Sequence, residues 1–182
     1  MKNILVIGAG RSSSSMIKYF LENAEKEDWF IRVGDMNLSL AKEKVGNNSR
    51  GEAFEFNALN NEERWAELLH KDLVVSMLPA RLHVEVVKDC IKLGIDVITP
   101  SYISPEMKEL NAAAEEAGVL VMNEIGVDPG MDHMSAQKIM DEIEDHGGEL
   151  TSFESFTGGL IAPESDDNPW NYKFTWNPRN VV

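Results

Sequence analysis

Gly8, Gly10 and Ser13 fall at the spacing Gly-x-Gly-x-x-Ser. They come directly after the apolar run at 4–7 and directly before a helical apolar pattern at Met16, Ile17, Phe20, Leu21 and Ala24. Strand, glycine turn and helix, in that order, are the parts of a dinucleotide-binding unit. The first glycine permits the tight turn, and the second lets a pyrophosphate come up against the backbone. The helix N-terminus supplies free N–H groups and the positive end of a dipole. Ser13 stands where a third glycine is usual, and a side chain this small keeps strand and helix close. Alone, the pattern also fits an ordinary strand-to-helix turn. Asp35 strengthens the ligand reading, because it closes a second apolar run at about the distance expected of a ribose-binding carboxylate. That charge would accept the ribose hydroxyls and repel a 2′-phosphate, so it predicts NAD rather than NADP. The alternative is a turn or cap residue ahead of a helix at Asn37. Arg11, inside the turn, would pair with a phosphate or stack on the adenine, or else stand solvated.

Such residues work only if a sheet brings them to one edge. Apolar runs at 30–33, 53–56, 72–77, 96–99 and 119–122 continue the series of strands. Between them lie helical patterns at 38–45, after Asn60 or Asn61, from Leu82 to a stop at Gly94, and from a Ser104 cap with Pro105 in the first turn to a stop at Gly118. The last of these reads as one helix burying Met107, Leu110, Ala113 and Ala114. Strictly alternating strands and helices predict an α/β, Rossmann-type doubly wound parallel sheet, with ligands beyond the carboxyl ends of its strands. The predicted cofactor-binding set is therefore Gly8, Ala9, Gly10, Arg11 and Ser12, then Asp35 and Met36, Asn57 and Ala58, Leu78, Ser101 and Val127. Residues 1–125 form this dinucleotide-binding domain. Residues 126–182 read as the start of an incomplete α+β substrate or dimerisation domain. It opens with an Asp132 N-cap and a helix that turns Met134, Ile139, Met140 and Ile143 inward. A strand over 150–156 follows, then alternating aromatics at Trp170, Tyr172, Phe174 and Trp176.

A net charge of −14 disfavours nucleic acid and anionic membranes as partners. Cys90, the one cysteine, has no internal disulfide partner. No run of residues is long enough to span a membrane, and a cytoplasmic location is the expectation. The histidines are scattered and no cluster has ligand spacing, so no metal is expected. His70, His83 and His146 sit in helical contexts and read as surface or capping residues.

Four segments in order resemble the saccharopine dehydrogenase family, in particular the branch with fungal saccharopine reductase and the dehydrogenase half of the bifunctional lysine-degrading enzymes. They are Ser76-Met77-Leu78-Pro79; Ser101-Tyr102-Ile103-Ser104-Pro105; Asn123 through Asp128-Pro129-Gly130-Met131-Asp132-His133; and Gly158-Gly159-Leu160-Ile161-Ala162-Pro163-Glu164, running into Asn168-Pro169. Two departures stand out. Thr157 replaces a cysteine frequent in the family, and Ile161 replaces the first proline, so no thiol role carries over. The resemblance implies NAD-linked oxidation of saccharopine at its secondary amine to glutamate and aminoadipate semialdehyde, or the reverse condensation. It places Ser101 and Tyr102 at the nicotinamide or substrate. Asp128 would orient the amine or assist proton transfer, making Asp128 and Tyr102 the catalytic pair. His133 and the backbone amides around Asp132 would hold a substrate carboxylate, although Asp132 also reads as a plain cap. A homodimer through the second domain is an expected partner. A carboxynorspermidine-type dehydrogenase and a dinucleotide-binding module without turnover are the rival readings.

Overall fold

The computed structural model describes residues 1–159 and 161–174. Six strands form one sheet: β1 (Lys2–Ile7), β2 (Trp29–Asp35), β3 (Gly51–Glu55), β4 (Leu73–Ser76), β5 (Asp96–Ile98) and β6 (Val121–Met122). Every pairing is parallel. The order is β3-β2-β1-β4-β5-β6, so the chain reverses direction across the sheet between β1 and β4. Parallel neighbours require crossovers, and the crossovers here are helices: α1 (Ser14–Asn23), α2 (Leu38–Val45), α3 (Asn61–Leu68), α4 (His83–Leu93), then α5 (Pro105–Lys108) and α6 (Asn111–Ala117).

β1 shows why the sheet is covered on both sides. Its side chains alternate, and both sets are buried. Ile4 and Val6 pack with Ile17, Leu21, Ala41 and Val45 of α1 and α2. Leu5 and Ile7 pack with Leu68, Val86, Val87 and Cys90 of α3 and α4. A central strand apolar on both faces is what a doubly wound fold needs. Across the second face, Arg64 of α3 donates to Asp89 of α4 at 2.7 Å and to the Ala58 carbonyl at 2.7 Å. Two helix starts use the residue the sequence marks for them. Asn60 accepts from the Glu62 and Glu63 amides, and Ser104 accepts from Met107.

The expected helix from 105 to 117 is two pieces. At Leu110 the chain tightens, its N–H reaching back three residues to Met107, and regular helix resumes at Asn111. Met107 and Ala114 are buried, but Ala113 faces solvent.

By contact the chain divides into two units, Met1–His133 and Met134–Val182. The helix α7 (Met131–Asp145), most of which belongs to the second, buries no residue, so the inward face expected for Met134, Ile139, Met140 and Ile143 has no layer against it among the described residues. The strand expected over 150–156 is absent. Residues 150–159 have no regular structure, because a lone strand without a ladder partner does not persist. Nor do the aromatics form a strand. Asn168 builds a turn, accepting from Trp170 N–H at 3.1 Å, and Tyr172 meets Phe174 edge-on at 5.3 Å. Trp176 lies outside the described residues.

Candidate dinucleotide and substrate site

Every predicted site residue from Gly8 to Asp128 follows the carboxyl end of a strand, and a wholly parallel sheet sets those ends along one edge. His133 lies in the first turn of α7.

At the glycine turn the two glycines have different causes. Gly8 has φ +105°, and a Cβ there would lie 2.9 Å from the Met77 carbonyl oxygen, so both backbone and packing exclude a side chain. Gly10 has φ −65° and ψ 179°, which any residue adopts, and a Cβ would meet nothing within 4 Å. Nothing in the chain requires that glycine; it leaves open space against the backbone. Beside that space the amides of Gly10, Arg11 and Ser12 have no hydrogen-bond acceptor among the described residues, whereas Gly8, Ala9 and Ser13 N–H are all engaged. Free amides beside open space at the start of a helical segment fit a pyrophosphate. Ser13 fills the third-glycine position buried, its hydroxyl donating to the Gly10 carbonyl at 2.8 Å. The small residue keeps strand and helix close without an unpaired oxygen.

Asp35 takes the turn role weighed for it and adds a contact the sequence does not show. Its Oδ2 accepts from Ala9 N–H at 2.7 Å, and its Oδ1 from Asn37 N–H at 2.7 Å. The carboxylate ties the glycine turn to the end of β2, and both oxygens already serve the chain. Each oxygen keeps a lone pair for a ribose hydroxyl, and the charge that would repel a 2′-phosphate remains. Arg11, exposed in the same turn, has no anionic partner among the described residues, and Met36 is exposed beside Asp35. Asn57 is an Asx turn, accepting from Leu59 N–H while its own N–H reaches Glu63. Ala58 is buried with its carbonyl committed to Arg64, and Leu78 packs on the core. These last three shape the edge more than they offer polar atoms to a ligand.

Beyond β4 and β5 lies a cluster that the sequence reading misses. His83, the first residue of α4, is 1% exposed. Its Nδ1 is 2.8 Å from Ser76 Oγ; its Nε2 is 2.8 Å from Ser101 Oγ and 3.0 Å from Thr99 Oγ1. Surface and capping roles are both excluded. Burial pushes its pKa down to about 4, so the ring is neutral at physiological pH. One signal was available: a helix after a parallel strand begins at the ligand edge, so its first residue faces the strand ends.

Tyr102 is held by its neighbours. Glu124 donates its N–H to the Ser101 carbonyl at 3.1 Å, and its carboxylate accepts from Ile103 N–H at 3.1 Å, so one residue clamps both sides of the tyrosine. Glu124 does this at φ +61°. Tyr102 borders a cavity of about 530 Å³ that Arg81, His83, Ser104, Met107 and Asn123 also line. Arg81 has no carboxylate partner among the described residues and was not anticipated as a ligand contact.

The loop after β6 folds tightly on itself. Gly126 N–H donates to the Pro129 carbonyl, Met131 N–H to Gly126 and Asp132 N–H to Val127. The Asp128–Pro129 bond is cis, and Val127 and Asp128 are exposed. Asp132 lies inside the first turn of α7, not at its N-cap, and accepts from Gly130 N–H at 2.9 Å and from the His133 ring at 2.7 Å. The amides expected to bind a substrate carboxylate are thus engaged within the loop at Gly130, Met131 and Asp132, which corrects that expectation. The ring of His133 stays exposed, its Nδ1 on Asp132.

Comparisons with known proteins agree along the whole chain. Two family models match in tandem: the saccharopine dehydrogenase NADP binding domain over residues 4–122 and the saccharopine dehydrogenase C-terminal domain over residues 126–182. The chain is 39% identical over 181 residues to the NADP(+), L-glutamate-forming saccharopine dehydrogenase of Saccharomyces cerevisiae, covering 100% of itself and 40% of that protein. It is 39% identical over 183 residues to the mitochondrial alpha-aminoadipic semialdehyde synthase of Bos taurus, covering 19% of that protein. The solved apo saccharopine dehydrogenase (L-Glu forming) from S. cerevisiae superposes with a TM-score of 0.81 at 38% identity, over 100% of this chain and 40% of the other. A 3-ketoreductase from Actinomadura kijaniata solved with NADP has a TM-score of 0.58 at 22% identity over 79% of this chain and 44% of its own, a likeness of fold alone.

Proposed function

Since the chain belongs to the saccharopine dehydrogenase family, we propose that it forms the dinucleotide-binding part of an oxidoreductase that interconverts saccharopine with glutamate and aminoadipate semialdehyde, using NADP(H). It spans 40% of the fungal relative's length and 19% of the bovine one's. The observation that carries the reading is the open face of Gly10 beside three free amides. These amides would take the pyrophosphate, and Arg11 would supply a cation for the 2′-phosphate. NADP(H), when bound, supplies the hydride acceptor or donor. The choice of NADP over NAD draws on the relatives' names and on the unpaired Arg11.

The remaining roles go to residues of this chain. Ser101 would hold the nicotinamide half. Tyr102, donor and acceptor at the cavity mouth, would orient the substrate amine, and exposed Asp128 would exchange its proton. Arg81 and His133 are the groups suited to substrate carboxylates, in place of the engaged loop amides. Titrating the chain with NADPH and NADH, followed by nicotinamide fluorescence, tests the cofactor. NADPH is expected to bind at least about tenfold more tightly, and Arg11→Ala to remove most of that preference. A preference for NADH would reject NADP(H) and uphold the Asp35 argument.

A further inference from the structure

Three hydroxyls converge on one buried imidazole, and all three belong to the ligand edge. Ser76 ends β4; Thr99 and Ser101 follow β5. A core needs no such group, since a buried imidazole must be satisfied at both nitrogens.

Counting protons selects the tautomer that suits these contacts best. Two oxygens face Nε2, at 2.8 and 3.0 Å, and one faces Nδ1 at 2.8 Å. Were Nε2 unprotonated, its single lone pair could accept only one of two competing hydroxyls, leaving the other oxygen lone pair against lone pair. With Nε2 protonated, the N–H is shared between Ser101 Oγ and Thr99 Oγ1, and Nδ1 accepts the Ser76 proton. Both ring nitrogens are then satisfied, and the Thr99 and Ser101 hydroxyls each keep a proton to donate elsewhere. Thr99 Oγ1 also accepts the Ser101 N–H at 3.3 Å, which holds the serine backbone in the same place. In this arrangement Ser101 Oγ is an acceptor from the ring, and its own proton is left over. Ser101 is half-buried and follows β5, in the half of the sheet beyond the β1–β4 reversal, where a dinucleotide places its second nucleotide.

We propose that His83 is a positioning residue: by donating from Nε2 to Ser101 Oγ it fixes that hydroxyl as a proton donor aimed at the nicotinamide half of the bound dinucleotide. The assignment rests on the dinucleotide reading above and names a residue that acts through another without touching the ligand itself.

The test compares NADPH with 2′-phospho-ADP-ribose, which lacks only the nicotinamide, on the wild-type chain and on Ser101→Ala, His83→Asn, His83→Gln and the Ser101→Ala/His83→Asn double variant. NADPH affinity is expected to fall about tenfold in Ser101→Ala and in His83→Asn, and by no more than about threefold in His83→Gln, whose longer amide can still reach Ser101. The fragment's affinity is expected to stay within about twofold throughout, and the double variant to be no worse than Ser101→Ala. Equal loss of both ligands, or additive losses in the double variant, would show generic damage and overturn the assignment. Should the variants fail to fold, the nitrogen-15 shifts of His83 in the wild-type chain decide: protonated Nε2 supports the assignment, and protonated Nδ1 overturns it. A wild-type chain that binds neither ligand would refute the dinucleotide reading and this assignment with it, whereas binding that no variant changes refutes only this assignment.

Discussion

Gly10→Val is expected to cost at least about a hundredfold in NADPH affinity while leaving the fold unchanged, and Gly8→Ala to do the reverse. The two glycines stand two residues apart, yet their surroundings differ in kind. At Gly10 the extended backbone suits a β-branched residue and a Cβ meets nothing within 4 Å, so little in the unliganded chain opposes a side chain there. What the branched side chain meets is the pyrophosphate. At Gly8 even a methyl group faces the Met77 carbonyl at 2.9 Å, and the φ of +105° is strained for any residue with a Cβ. Alanine there should cost about 3 kcal/mol and lower the melting midpoint by roughly 10 °C. Thermal melts and NADPH titrations on both variants check this. A Gly10→Val chain that binds NADPH as the wild type does would leave the turn without its ligand.

Acid should destabilise the fold well above the carboxylate range. His83 is neutral in the folded chain because burial lowers its pKa from 6.5 to about 4, and its hydrogen-bond partners are hydroxyls with no carboxylate among them. Between those two values the unfolded chain binds a proton that the folded chain refuses, so stability rises with pH there. The contribution is complete above pH 6.5, declines as pH falls and is gone near pH 4. Its size is on the order of 3 kcal/mol. Carboxyls held below their usual range, such as Asp72 by the Asn3 amide and Lys2, lose their contribution at lower pH still. Urea unfolding at a series of pH values from 7.5 to 4.5 should therefore give a slope that His83→Asn flattens. Equal slopes in the two proteins would mean that some other group titrates.

The sheet and its ligand edge were readable because their signals are local. Four apolar residues before a glycine can only be a short strand here, and its alternating burial follows from being covered on both faces. Caps at Asn60 and Ser104 are equally local. Signals that depend on distant partners are not legible in the sequence alone. Asp35 matches the ribose-binding position, but one-dimensional spacing cannot place the Ala9 amide beside it. His83 looks like any helical histidine until β4 and β5 bring Ser76, Thr99 and Ser101 around it. The loop amides before α7 looked free because their acceptors lie within a tight turn that only the folded backbone reveals. In the second unit, apolar periodicity in α7 and at 150–156 predicts packing, yet periodicity alone does not supply the opposing layer.

The helix that begins with His83 also carries the chain's single thiol. Cys90 is wholly enclosed, and burial, with the negative charge of Asp89 next to it, pushes its pKa up to about 12. At neutral pH only on the order of one thiol in a hundred thousand is ionised, so alkylating reagents have neither access nor a nucleophile while α4 lies on the sheet. Modification must wait for the helix to lift away. The labelling rate of the native protein is then a count of those openings, converted to a free energy by the rate in denaturant. A chain with one cysteine needs no engineered probe for this, and the region it reports on is the half of the sheet that positions Ser101.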